Sequence, residues 1–150
     1  MRLPLLLASM GRSNRSIKDK DRPMRKGPVL IVDDDLDIRE ILADTLKDRG
    51  FDVITAANGL EALKLIRSMT THPSVILLDL MMPIMDGYGF LEERRKDPVL
   101  ASIPLAILTA GHGVDRNRLG NGAPIVLKPF NVPQLLGVLQ DLGSRAEGSA

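Results

Sequence analysis

The sequence predicts an α/β fold: a five-stranded parallel sheet with helices on both faces. Three observations carry that prediction. Short runs of Val, Ile and Leu recur along the chain, stretches with helical hydrophobic spacing separate them, and the runs stop at polar residues. Runs that are apolar throughout, rather than alternating, suit strands covered on both faces. At 150 residues the chain supplies one domain with a real core. Only 3% of residues are aromatic, so that core must be aliphatic. Cysteine is absent, which excludes a disulfide framework, thiol catalysis and thiolate metal ligands. His72 and His112 are too few for a histidine-built zinc site.

Charge divides unevenly. Residues 1–26 hold eight basic and two acidic side chains, a net of +6, whereas 27–150 hold 12 and 17, a net of −5. A basic arm for nucleic acid or a membrane surface is one reading of the first segment. A targeting segment is another, from Leu3, Leu5, Leu6 and Leu7 after Arg2, although this stretch is Pro-interrupted and too short to span a bilayer. Lacking any periodicity with which to bury a face, residues 1–27 are expected to be a basic, disordered extension. Met10 and Met24 offer alternative starts. The folded domain is expected over 28–142, with 143–150 a frayed tail.

Residues 29–32 are a β-branched apolar run ending in acid, the first strand. An amphipathic helix follows, with Ile38, Ile41, Leu42, Thr45 and Leu46 on one face, Arg39, Asp44, Lys47 and Asp48 outside, and Gly50 at its stop. Residues 51–56 read as the second strand and 58–69 as the second helix, with Leu60, Leu63 and Ile66 inward. Residues 75–78 form the central strand, ending at Asp79. A loop containing Pro83 and Gly87 leads to a helix over about 88–96 with Phe90 and Leu91 inward. Strands over 105–108 and 124–127 end in Thr109 and Lys128. Asn131 caps the last helix, Pro133 lies in its first turn, and Leu135, Leu136, Val138, Leu139 and Leu142 pack it.

The residues that close the strands form a chemical set: Asp33, Asp34 and Asp35, then Asp79, Thr109 and Lys128. In an open parallel sheet, ligands bind outside the carboxyl ends of the strands, so these groups converge on one edge. Solvent at strand ends accounts for one or two polar residues. It accounts poorly for acids, a hydroxyl and an amine each placed directly after an apolar run. Crowded carboxylates call for a cation, and oxygen ligands without thiol or imidazole suit Mg²⁺, which uses one or two carboxylates, waters and substrate phosphate. A carboxylate there can attack phosphorus while metal and lysine neutralise the transferring group.

The run Val29-Leu30-Ile31-Val32-Asp33-Asp34-Asp35, the segment from Leu77 through Asp79 and Pro83 to Gly87, the Leu108-Thr109-Ala110 step and the Lys128-Pro129-Phe130 step together resemble the receiver domain of two-component response regulators, with its flavodoxin-like fold. The resemblance covers about residues 28–142. It implies that Asp79 takes a phosphoryl group from a sensor histidine kinase or phosphotransfer protein. Asp34 would bind Mg²⁺ directly, Asp33 largely through water, and Met81 through its backbone carbonyl. Thr109 would close on the phosphoryl group and Lys128 would contact it, aimed by a cis bond to Pro129. Pro83 and Gly87 would shape the loop, and the small Ala110 would keep the acceptor open to its donor. Asp35 reads more simply as the start of the first helix, and Asp86 as a loop residue without a chemical role.

Two departures stand against these matches. Receivers commonly carry Tyr or Phe three residues before the lysine, a ring that follows the hydroxyl residue inward on phosphorylation. Here that position is Ile125, so no aromatic switch operates there. The stretch between Thr109 and Lys128 is also short and punctuated by Gly111, Gly113, Gly120 and Gly122. Each glycine costs a helix roughly 1 kcal/mol, so the fourth helix is expected to be short or irregular. The family's usual dimer face includes that helix and is not assumed. Met81 and Gly111, two residues beyond the acceptor and the hydroxyl, cannot orient water, which implies slow loss of the phosphoryl group.

The leading function is phosphorylation-dependent signalling in the cytoplasm by a stand-alone domain acting in trans, with no direct DNA binding and no membrane span. Its downstream partner and oligomeric state are left open. The chain is not expected to be an enzyme beyond its own phosphorylation and dephosphorylation. An aspartate-nucleophile phosphatase of the haloacid dehalogenase type would need a second Asp where Met81 stands. A receiver-shaped, phosphate-independent interaction module is the other alternative, favoured by Ile125 and the glycine-rich segment. A flavin-binding protein of similar fold would need a Ser/Thr-rich phosphate loop after the first strand.

Overall fold

The computed structural model describes residues 27–120 and 122–148, and side chains as far as Gly143. The expectation for residues 1–26 lies outside the described residues. Five parallel strands form one sheet: β1 (Val29–Val32), β2 (Val53–Ala56), β3 (Val75–Asp79), β4 (Leu105–Thr109) and β5 (Ile125–Leu127), in the order β2-β1-β3-β4-β5. The helices are α1 (Leu36–Asp48), α2 (Gly59–Ser68), α3 (Gly87–Arg95), α4 (Pro98–Ala101), α5 (Arg116–Leu119) and α6 (Val132–Gly148).

Strand parity separates two cores. Leu30 and Val32, Ile76 and Leu78, and Leu105 and Ile107 face α2 and α3, where Ala62, Leu63, Ile66, Phe90 and Leu91 cover them. Val29 and Ile31, Val75 and Leu77, and Ala106 and Leu108 face α1 and α6, where Leu42, Leu46, Leu135, Leu139 and Leu142 pack. The register sets Val32 beside Leu78 and Asp79 beside Leu108. One residue beyond the apolar runs, the same alternation keeps Asp33, Asp79 and Lys128 on the α1/α6 side and turns Thr109 to the α3 side, with Ile125.

Several helix details differ from the sequence expectation. Ile41 is 65% exposed and Leu60 38% exposed, because each sits on the flank of its apolar stripe. Ala43 and Ala62 take the inward places. The short helix α4 was not expected. Asp97 caps it, Leu100 is buried, and Arg94 Nη2 donates to the carbonyls of Ala101 and Ile103 at 3.2 and 2.7 Å. Rather than fraying from residue 143, α6 runs on to Gly148. The fourth-helix region is reduced to the single turn α5, and Gly111, Gly113, Gly120 and Gly122 all have positive φ.

Capping chemistry sets the helix starts. Asp35 accepts from the amides of Asp37 and Ile38, Asn58 from Glu61, Asp86 from Gly89, and Asn131 from Gln134. Asp35 therefore starts the first helix as read from the sequence, whereas the capping role of Asp86, read only as a loop residue, was not expected. The loop after β3 turns at Ile84, an exposed β-branched residue at φ 71°, in the left-handed region. Gly87 answers a close approach: a Cβ there would lie 2.6 Å from the Asp79 carbonyl oxygen and 2.7 Å from Leu80 Cα. Gly87→Ala is expected to destabilise the fold by about 2 kcal/mol through a forced backbone shift, read as a lower urea midpoint at unchanged m value.

Candidate functional site

The carboxyl edge of the sheet gathers the charged residues. Asp33 directly follows β1, Asp79 closes β3, and Lys128 directly follows β5. One carboxylate oxygen from each of Asp33, Asp34 and Asp79 lies within 4.8 Å of the other two. Lys128 Nζ bridges the two buried acids, 3.0 Å from Asp33 Oδ2 and 3.6 Å from Asp79 Oδ1. The other oxygen of Asp33 accepts the Asp35 amide at 2.9 Å. Asp33, only 1% exposed, is thus held from both sides, whereas Asp34 is exposed and free to meet solvent or an ion.

Burial and the neighbouring Asp33 carboxylate push the Asp79 pKa up to about 6. Lys128 and a hydrogen bond from the Met81 amide act against that rise, and Asp34 adds to it. Burial lowers the Lys128 pKa, but its contacts with Asp33 and Asp79 outweigh that and raise it overall. The group is therefore a lysine that stays charged beside an acid that, in the absence of further positive charge, holds its proton more tightly than an ordinary carboxylate. A cation among the three acids would oppose that rise and favour the ionised form. The donor set fits a hard divalent ion: all oxygen, clustered, and open to water on the Asp34 side.

Other residues named from the sequence fall around this centre. Thr109 is buried on the opposite sheet face, and its Oγ1 accepts the Gly111 amide at 3.2 Å. Ala110 is exposed beside it. The Lys128–Pro129 bond is cis. Met81 and Pro83 present exposed side chains, and Met82 and Met85 pack against the α2/α3 core. Ile125 packs in that core as well, as an aliphatic side chain where a ring was missing.

Sequence reasoning missed two supports. Arg39, read as an outward residue, reaches back along α1 and donates from Nη1 to the Asp33 carbonyl at 2.7 Å. Its place one turn into the helix that follows the acids was the available signal. Gly59 receives the post-Asp79 loop: its amide donates to the Met85 carbonyl at 2.8 Å, and a Cβ would lie 2.9 Å from that oxygen. Nothing local in the sequence marks that contact.

Comparison with known proteins places this arrangement. Residues 29–140 match the family described as the response regulator receiver domain. The chain is 41% identical over 127 residues to the probable transcriptional regulator ycf27 of Cyanophora paradoxa, covering 83% of this chain and 51% of that protein. It spans about half the length of the curated relatives it matches. Among solved structures, the chemotaxis protein CheY4 of Vibrio cholerae is 33% identical with a TM-score of 0.69, covering 79% of this chain and 99% of that one. The response regulator TrrA of Thermotoga maritima, solved in complex with Mg²⁺-BeF, is 30% identical with a TM-score of 0.69, covering 78% and 99%.

The raised Asp79 pKa has a stability consequence. The folded state holds this proton more tightly than the unfolded chain, whose value is 3.8. Ionisation between about pH 4 and 6 therefore costs the metal-free fold stability. Asp79→Asn in chelator is expected to exceed wild type by on the order of 2 kcal/mol at pH 7, with the gap closing below about pH 4, in urea unfolding followed across pH.

Proposed function

The chain belongs to the response regulator receiver domain family, and on that premise we propose that it is a signalling protein that accepts a phosphoryl group onto Asp79 from a sensor histidine kinase or a phosphotransfer protein. The observation that carries the proposal is the buried Asp33–Lys128–Asp79 bridge with Asp34 open beside it. An Asp79 carboxylate oxygen bonds to phosphorus as the phosphorus–nitrogen bond of the donor phosphohistidine breaks and the imidazole leaves. Mg²⁺, when bound, supplies the positive charge that offsets the phosphoryl oxygens.

The chain's own residues do the rest. Asp34 and the Met81 carbonyl are the groups proposed to hold the ion, with Asp33 acting through water and fixed by Lys128, the Asp35 amide and Arg39. Lys128 contacts the phosphoryl group from the α1/α6 side. Thr109 exchanges its present partner, the Gly111 amide, for a phosphoryl oxygen. The exposed Ala110 leaves the approach to Asp79 open. No catalysis on other substrates is assigned, and the protein is proposed to work in the cytoplasm. Among the described residues no helix is long and apolar enough to cross a membrane.

The state of Asp79 is proposed to be read by a separate downstream protein. The longer relatives carry names of transcriptional regulators, and their DNA-directed activity is not assigned to residues 28–142. A phosphate-independent interaction module is a second reading, favoured by Ile125 and the glycine-broken segment. Incubation with Mg²⁺ and acetyl phosphate or a sensor kinase separates the two. Acid-stable, base-labile label on wild type but not on Asp79→Ala is expected, and absence of label with every donor would select the second reading. The label is also expected to decay slowly, since neither Met81 nor Gly111 orients water. Met81→Asn should shorten its lifetime several-fold in a pulse-chase, and an unchanged fast decay would refute that assignment.

A further inference from the structure

With no ring at position 125, any connection from the acceptor site to the surface runs through other residues. A single helix face supplies the connection. Tyr88, Glu92 and Arg95 lie along one stripe of α3, at i, i+4 and i+7, and all three hold the segment that replaces the fourth helix. Tyr88 Oη accepts the Asp115 amide at 2.8 Å, and the Arg118 guanidinium sits 4.6 Å over the Tyr88 ring. Arg95 Nη2 donates to the Arg118 carbonyl at 2.7 Å, and Arg118 Nη2 pairs with Glu92 at 3.2 Å. The Glu92 pair is exposed and contributes little. The Tyr88 bond is different, because the ring is buried in the same core as Leu119 and Ile125.

Both ends of this arrangement reach the phosphoacceptor. Tyr88 follows Gly87, whose amide donates to the Leu80 carbonyl at 2.9 Å and where a Cβ would lie 2.6 Å from the Asp79 carbonyl oxygen. The ring is therefore fixed relative to β3. The segment it holds begins at Gly111, whose amide is tied to Thr109 Oγ1 on the same sheet face as Tyr88. Between the two ties lie only residues 112–114, with Gly111 and Gly113 at positive φ. The glycines supply no side chains of their own to hold the segment, so Val114, Leu119 and the bonds from α3 hold it.

We propose that Tyr88 is the switch residue of this protein: its hydroxyl latches the Asp115 amide in the unphosphorylated state, and withdrawal of Thr109 Oγ1 from Gly111 toward a phosphoryl group on Asp79 releases residues 111–119 as the surface a partner reads. This rests on the receiver reading above. It places the aromatic element on α3 rather than β5, and it makes the ring the fixed post from which the glycine-rich segment departs.

The chain contains one tyrosine and no tryptophan, so its intrinsic fluorescence reports Tyr88 alone. Wild type treated with Mg²⁺ and acetyl phosphate, with the phosphorylated fraction counted independently by acid-stable label, is expected to change in tyrosine emission and iodide quenching in proportion to label. Amide hydrogen exchange at Asp115 should rise by roughly fivefold, the scale of one net hydrogen bond. Tyr88→Phe keeps the ring and should accept label to the wild-type extent, with Asp115 exchanging at the released rate before any phosphorylation and no faster after it. Full labelling with Tyr88 emission and Asp115 exchange unchanged would overturn the latch and leave the receiver reading intact. No label from any donor would overturn both. If Tyr88→Phe fails to fold, the wild-type emission and exchange decide alone.

Discussion

The bridge from Lys128 to Asp33 and Asp79 is the constraint around which the rest is arranged. Two carboxylates buried side by side repel, and desolvation penalises each of them. One ammonium placed between them makes the cluster tolerable, and, against the lowering by burial, its contacts with both acids raise its own pKa. The compensation is partial: Asp79 still sits near 6. A site left short of positive charge is poised to take up a cation, and it gains little from a neutral ligand.

The fold satisfies this constraint by parity. Each strand delivers its last residue to a face determined by whether it is odd or even in the run, and the in-step pairing of β1 with β3 puts Asp33 alongside Asp79. Lys128 comes to the same face from the far side of the sheet. Slipping any of these strands by one residue would turn its functional side chain to the other core. The apolar residues that prevent such a slip are therefore also what aims the chemistry. Thr109 falls on the opposite face by the same rule, which places it with Ile125, Tyr88 and the glycine-rich segment rather than with the acids.

Around this rigid edge the structure distributes stiffness unequally. The loop after β3 is clamped: Gly87 against the Asp79 carbonyl, Gly59 against Met85, Asp86 as cap of α3. The loop after β4 is held from outside by Tyr88 and Arg95 of α3, and its glycines occupy backbone conformations that other residues avoid. Asp79, the proposed acceptor, thus lies between a clamped loop and a glycine-rich one, an arrangement suited to converting a local charge change into a change of surface.

Much of this was legible before any coordinates. Strand identity followed from the apolar runs at 29–32, 75–78 and 105–108. The acids, hydroxyl and lysine were visible because each follows such a run, and Asp35 and Asn131 announced their caps. The shortened fourth helix was legible from four glycines. Periodicity alone misjudged Ile41 and Leu60, since an apolar residue on the flank of a stripe looks the same in sequence as one at its centre. It also set Arg39 outside, although a long side chain one turn into α1 reaches back to the Asp33 carbonyl. The sequence by itself determined which residues are chemically available at the sheet edge, because local hydrophobic runs dictate strands and strand ends. Only the tertiary structure decided that Lys128 spans both acids, that Gly59 and Gly87 admit the loop, and that Tyr88 holds Asp115. Those contacts join residues far apart in the chain, or depend on spaces a Cβ would fill, and no local pattern encodes either.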